Sequence, residues 1–167
     1  KNKASVEERD ALRKVLAANA VPDSIRRCMI DPEDIEFSET KLGSGAFGEV
    51  WRATLDRGGG RAAEKVAVKV AKSQVAIEEL LDEAMLMAQL TPHPNVVGLV
   101  GVVTEGEDVM VALPFCTHGS LTDMISRWCG PGSESHVTDV RADDRLEVAR
   151  QVCAGMAHLH AARVVHR

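Results

Sequence analysis

The stretch KLGSGAFGEVWRATL, residues 41–55, runs through a polar Gly-rich turn into KVAVK, residues 65–69. It reads as a glycine loop between two strands, followed by a lysine set in a strand of alternating apolar residues. Phosphate oxygens approach a backbone closely only where side chains are missing. Gly43, Gly45 and Gly48 remove Cβ at three points of the loop and leave backbone N–H groups facing outward. Lys69, within Val66, Ala67, Val68, Lys69, Val70, brings a cation to the same neighbourhood. The arrangement suits a polyphosphate.

The same glycine spacing occurs in the dinucleotide-binding fingerprint, which needs a helix to start inside the motif and an acid about 20 residues later. Here Glu49, Val50, Trp51, Arg52, Ala53, Thr54 and Leu55 follow, a strand-forming run without a helix cap, and the next strand carries Lys69 where that fingerprint has an acid. From Ser73, a plausible N-cap, apolar residues recur at Ile77, Leu80, Leu81, Ala84, Met87 and Ala88, which predicts a helix with one buried stripe. Glu83 falls on or beside that stripe and needs a cationic partner, for which Lys69 is the natural candidate. As a buried pair it would lose about 3–5 kcal/mol on removal of one member.

His93, Pro94, Asn95 and the residues on to Val103 then predict a turn followed by a Val-rich strand. Glu105, Gly106, Glu107 and Asp108 make a hairpin turn, and Val109 to Leu113 the returning strand. Pro114, Phe115, Cys116, Thr117, His118 and Gly119 end it, and Ser120 to Asp123 opens a short helix with a capping box. Leu121, Met124, Ile125 and Trp128 lie on one side of that helix. A polar loop separates it from a longer helix, about Asp144 to His160, with Leu146, Ala149, Val152, Cys153, Met156 and Leu159 apolar. His158 and His160 point about 200° apart on that helix and read as residues of its polar face. The chain ends Val165, His166, Arg167.

Five motifs in this order, namely the glycine loop, Val-Ala-x-Lys, the helix glutamate, His-Pro-Asn with a segment ending Gly-Ser-Leu, and His-Arg, resemble the protein kinase domain, above all those of tyrosine and tyrosine-kinase-like kinases. The resemblance covers residues 34–167. It implies an α+β fold: a five-stranded antiparallel small-lobe sheet with one helix over residues 34–113, a hinge at 114–119, and the first helices of the large lobe over 120–167. It also implies ATP as ligand, a protein hydroxyl as acceptor, tyrosine ahead of serine or threonine, and Mg²⁺ held by residues beyond Arg167. Lys69 and Glu83 are then the catalytic pair. Leu42, Gly43, Ser44, Gly45, Ala46, Phe47, Gly48, Val50, Ala67, Lys69, Leu113, Pro114 and Cys116 are the nucleotide contacts. Leu113 stands at the gatekeeper position; Pro114 keeps a carbonyl, and Cys116 both a carbonyl and an N–H, for the adenine edge. The resemblance makes the chain a piece stopping one residue short of the catalytic aspartate. Such a piece is expected to be inactive alone, and to associate or unfold through exposed Leu146, Val152 and Met156. The alternative from a different class is a pseudokinase that serves as a scaffold or allosteric binding module.

Composition is compatible with this. In 167 residues, 45% are apolar, enough for a core, and a net charge of −5 gives no basic patch for nucleic acid. Val96 to Val103, the longest apolar stretch, is too short to span a bilayer. Cys28, Cys116, Cys129 and Cys153 have neither metal-ligand nor disulfide-framework spacing. A cytoplasmic protein, or the intracellular part of a membrane receptor, is expected. There is no tyrosine in the chain, so any tyrosine autophosphorylation belongs elsewhere in the parent. Residues 1–33 form a juxta-domain segment in which Ser5 to Glu8 cap a short helix carrying Ala11, Leu12, Val15 and Leu16, either docked on the domain or acting as a linker.

Overall fold

The computed structural model describes residues 23–45, 48–104, 108–129 and 142–166. The expected helix over Ser5 to Leu16, the hairpin residues Glu105 to Glu107 and the polar loop after Cys129 lie outside them. The chain divides into two compact units, in which Gly98–Phe115 join the residues up to Thr91, and Pro92–Val97 join the residues from Cys116 onward.

The first unit begins with a helical turn, α1 (Asp23–Arg26), and a 3-10 turn (Pro32–Asp34) capped by the Asp31 carboxylate accepting from the Glu33 N–H. Five strands follow: β1 (Ile35–Gly45), β2 (Gly48–Leu55), β3 (Glu64–Val70), β4 (Gly101–Val103) and β5 (Met110–Pro114). They form one antiparallel sheet in the order β1-β2-β3-β5-β4, with the helix α2 (Gln74–Gln89) connecting β3 to the β4–β5 hairpin. The chain folds as the five-stranded α+β unit expected.

Alternation along the strands gives the sheet two faces. One buries Ile35, Ala53, Leu55, Val66, Val68 and Ala112. The other lies under α2, where Ala76, Leu80 and Ala84 meet Val102 and Val111. Ser73 caps α2 by accepting from the Ala76 N–H at 3.2 Å. The stripe differs from the expected one in that Ala76 is fully packed and Met85, rather than Met87, adjoins the cluster. At 100° per residue, Ala76, Leu80 and Ala84 form a single ridge, and the longer Met85 reaches the sheet beside it.

The expected turn and Val-rich strand divide late in the run. Only Gly101–Val103 pairs as β4, and Val96 and Val97 belong to a turn in the second unit, where the His93 Nδ1 accepts from the Asn95 N–H at 3.1 Å and the His93 carbonyl from the Val96 N–H at the same distance. Side-chain and backbone hydrogen bonds local to His-Pro-Asn outweigh the strand propensity of the valines.

In the second unit, α3 (Leu121–Cys129) starts with a reciprocal cap. The Ser120 N–H donates to the Asp123 carboxylate at 2.9 Å, and the Asp123 N–H donates to the Ser120 Oγ at 3.1 Å. The Trp128 side chain lies outside the described residues. The last helix, α4 (Ala142–Ala161), approaches the 92–97 turn so closely that a Cβ on Gly155 would sit 2.5 Å from the Asn95 carbonyl oxygen. His158, expected on the polar face, is half-buried there. Its ring stacks on that of His93 at a centroid distance of 4.7 Å, because Gly155 lets the turn come within reach.

Gly48 shows what the tightest point in the first unit demands. Its φ of +142° suits glycine alone, and an added Cβ would lie 2.0 Å from the Val70 carbonyl oxygen. Gly43, by contrast, has nothing within 4 Å of such an atom. Gly48→Ala is therefore expected to lower unfolding free energy by about 1–3 kcal/mol, and Gly43→Ala to stay near wild type, in denaturant titrations.

Candidate functional site

The strand register decides which of the expected site residues share a surface. Val50 pairs with Lys69, Lys69 with Val111, and Ala67 with both Arg52 and Leu113. Val50, Ala67, Lys69 and Leu113 therefore lie on the face of the sheet that α2 covers further along. Gly43 pairs with Val50 and Gly45 with Gly48, so the described glycines of the loop continue the sheet next to Val50. An added Cβ would meet nothing within 4 Å at Gly43 or at Gly45. The backbone at these two positions is therefore bare on its Cβ side.

Leu42 falls in a bulge, where two steps along β1 match one along β2, and is 43% exposed. Ser44 pairs with Glu49. Ala46 and Phe47, at the tip, lie outside the described residues. Pro114 ends β5 opposite Val66 and is exposed. Cys116 is exposed and belongs to the second unit, where its carbonyl accepts from the Gly119 N–H at 3.1 Å in the turn that leads into α3.

The Lys69 Nζ meets the Glu83 Oε2 at 2.6 Å, linking β3 to α2. The pair is not the buried one expected. The Glu83 side chain is 45% exposed and that of Lys69 24%. Glu83 sits one position off the ridge of Ala76, Leu80 and Ala84, so it reaches Lys69 from the helix flank, still touching water. Its contribution to stability is therefore that of a surface pair, about 0–1 kcal/mol, rather than 3–5. An ammonium of this kind, held at one point but not enclosed, remains available to a ligand.

A second charged group went unnoticed in the sequence. The Glu49 carboxylate takes both the Lys41 ammonium and the Lys72 ammonium at 2.6 Å and accepts from the Trp51 indole N–H at 3.2 Å. Lys41 also lies 5.6 Å from the centre of the Trp51 ring. Glu49 alternates with Val50, so this cluster occupies the face opposite Lys69 and ties β1, β2 and the end of β3 together behind the loop. Its signal in the sequence is faint: lysines at 41 and 72 flank the glutamate in space only once the register is known.

Hydrogen bonds from Lys41, then from Lys72, hold the Glu49 carboxyl down from the ordinary 4.5 to about 2. A carboxyl lowered by folding stabilises the fold at pH above its unfolded value, and that contribution fades as pH falls from 4.5 through about 2. A carboxyl-detected NMR titration is expected to show Glu49 still ionised at pH 3 and protonating near 2. In Lys41→Met/Lys72→Met its midpoint should return to the ordinary glutamate range.

Among the described residues no group of three or more His, Cys, Asp or Glu side chains could hold a metal, and no helix is long and apolar enough to cross a membrane. Residues 36–167 match the family model described as protein tyrosine and serine/threonine kinase. The chain is 33% identical over 144 residues to tyrosine-protein kinase Abl of Drosophila melanogaster, covering 82% of this chain and 8% of that protein. It is 33% identical over 141 residues to tyrosine-protein kinase csk-1 of Caenorhabditis elegans, covering 83% and 23%. It is 41% identical over 100 residues to the human platelet-derived growth factor receptor beta, covering 58% and 9%. It thus spans less than a quarter of the length of each. The glycines paired between β1 and β2, the strand lysine joined to the helix glutamate, and this family match together place the chain in the protein tyrosine and serine/threonine kinase family.

Proposed function

We propose that the chain is the nucleotide-holding part of a protein kinase that transfers the γ-phosphoryl group of ATP to a protein hydroxyl, tyrosine rather than serine or threonine. The observation that carries the reading is the 2.6 Å contact between Lys69 and Glu83, on the sheet face that also bears Val50, Ala67 and Leu113. In this reading the Lys69 ammonium holds the α- and β-phosphates and Glu83 fixes the ammonium. The N–H groups of Gly43 to Gly48 cover the phosphates, while Leu42, Val50, Ala67 and Leu113 give the adenine apolar contact and Pro114 and Cys116 read its edge. Catalysis by these residues is positioning and charge stabilisation, with no covalent step on the protein. Mg²⁺, when bound, neutralises charge shared by the β- and γ-phosphoryl oxygens; the carboxylates that would hold it, and the aspartate that would take the acceptor's proton, are expected after Arg167.

The tyrosine preference is supported by the relatives, tyrosine-protein kinases by name, and by Phe115, Cys116, His118, Gly119, Ser120, Leu121 in the hinge region. A cytoplasmic setting, or the inner side of a membrane receptor, suits both ATP and a protein acceptor.

Lys69→Met in the parent protein is expected to lower phosphotransfer by at least about 10²-fold, as loss of a charge-stabilising donor does. Its melting temperature should fall by no more than about 4 °C, since the lost pair is half-exposed. Phosphotransfer assay and thermal melt of the same preparation check both. Retained transfer would overturn the role of Lys69. Tight ATP binding by a wild-type parent that transfers nothing would establish the pseudokinase scaffold instead.

A further inference from the structure

The segment ahead of the family-matched residues, which start at Glu36, is built into the first unit. Its backbone pairs with the edge of the sheet: the Ile30 N–H donates to the Val102 carbonyl at 3.0 Å, and the Val102 N–H donates to the Cys28 carbonyl at 2.8 Å. Met29 thereby forms a parallel bridge with Val102 of β4. The fit is close, since a Cβ on Gly101 would lie 2.3 Å from Ile30 Cδ1 and 2.6 Å from the Cys28 carbonyl oxygen. On either side of this bridge the strap sends an isoleucine to a different face of the sheet. Ile30, 6% exposed, joins the cluster of Leu55, Val66 and Val68. Ile25, 2% exposed, joins Ala76, Leu80, Ala84, Val102 and Val111.

Ile25 therefore belongs to the same cluster as the ridge of the helix that carries Glu83. Ala76 and Ala84 have no side chain beyond Cβ to fill the space that truncating Ile25 would leave, so settling or rotation of the helix is the way this side of the gap can close. Glu83 directly precedes Ala84, and the Lys69–Glu83 contact is too exposed to hold α2 in place by itself. We infer that Ile25 is a positioning residue for the Lys69–Glu83 pair. Its consequence for phosphoryl transfer rests on the function proposed above; the geometric effect on the pair does not.

The test uses the parent protein with ¹³C-labelled lysines, the Lys69 Cε signal being identified by its loss in Lys69→Arg. Glu83→Gln defines the signal of an unpaired Lys69. Ile25→Ala is expected to move the signal at least half of the way to that position, and Ile25→Ala/Glu83→Gln to move it no further than Glu83→Gln alone. Ile25→Val, which removes one methyl group and keeps the fold if Ile25→Ala does not, should give a smaller shift in the same direction. Leu55→Ala, a truncation of the same size as Ile25→Ala but in the other cluster, should lower the melting temperature and leave the signal in place. A wild-type signal in a folded Ile25 variant, or an equal shift in Leu55→Ala, would overturn the inference. Nucleotide titration of the same wild-type sample separates the two readings: absence of binding would count against the ATP site while leaving the Lys69 result to decide the role of Ile25.

Discussion

The contact between the small-residue ridge of α2 and the valines of β4 and β5 sets the geometry on which the first unit depends. Ala76 and Ala84 are 2% and 0% exposed, and their lack of bulk lets the helix backbone come down onto Val102 and Val111, with Leu80 filling the space between. Truncating a residue such as Leu80 costs about 2–5 kcal/mol. The Lys69–Glu83 pair contributes at most about 1 kcal/mol. Packing therefore determines where the helix lies, and the ion pair reports it. A slip of one residue along the helix would swing Glu83 through about 100° and part it from Lys69. Because the site depends on rotation of a packed helix and not on a strong polar contact, any element that shares the ridge's cluster can influence it.

The β1–β2 hairpin meets a different constraint, that of joining two strands firmly while the backbone at Gly43 and Gly45 stays bare. Its anchors lie on the other face or inside. Glu49, with Lys41, Lys72 and Trp51, binds the strands from behind, and Gly48 meets the Val70 carbonyl with no room for a side chain. Gly43 and Gly45 then have open space where a Cβ would stand. Three glycines that look equivalent in the sequence thus divide into two that keep the approach clear and one that lets the strands close. A network of three charges and an indole N–H restrains the loop more firmly than a single exposed pair, since several partners must separate together.

Much of this was legible in the chain. The helix from Ser73 followed from a cap and a 3.6-residue period, and the strands around the loop from alternation, both local signals. Lys69 and Glu83 were paired correctly because a carboxylate next to an apolar stripe needs a cation. Their burial was overstated, as sequence spacing locates Glu83 to within one helix position but does not say which side of the ridge faces water. The point where the turn gives way to β4 was not legible, because valines favour strands whether or not a partner strand exists; a hydrogen bond to the His93 ring and one along the backbone hold Val96 in the turn. The Glu49 cluster and the place of Ile25 in the core are contacts across 23 residues and about 50 or more, set by register and docking. No periodicity in the sequence encodes them.

The last helix shows how a pattern can be read correctly and still be only partly used within the described structure. At 100° per residue, Val148, Gly155 and Leu159 fall within about 40° of one another, and this is the side on which Gly155 and Leu159 are buried. Val152, Met156 and Leu146 continue the apolar arc around the helix, yet they are 51%, 46% and 71% exposed. An apolar arc this broad is what a helix covered on more than one side presents. Docking the 92–97 turn through Asn95 and the His93 ring satisfies one side only. The remaining arc stays exposed, so the pattern of this helix records more apolar surface than its packing among the described residues uses.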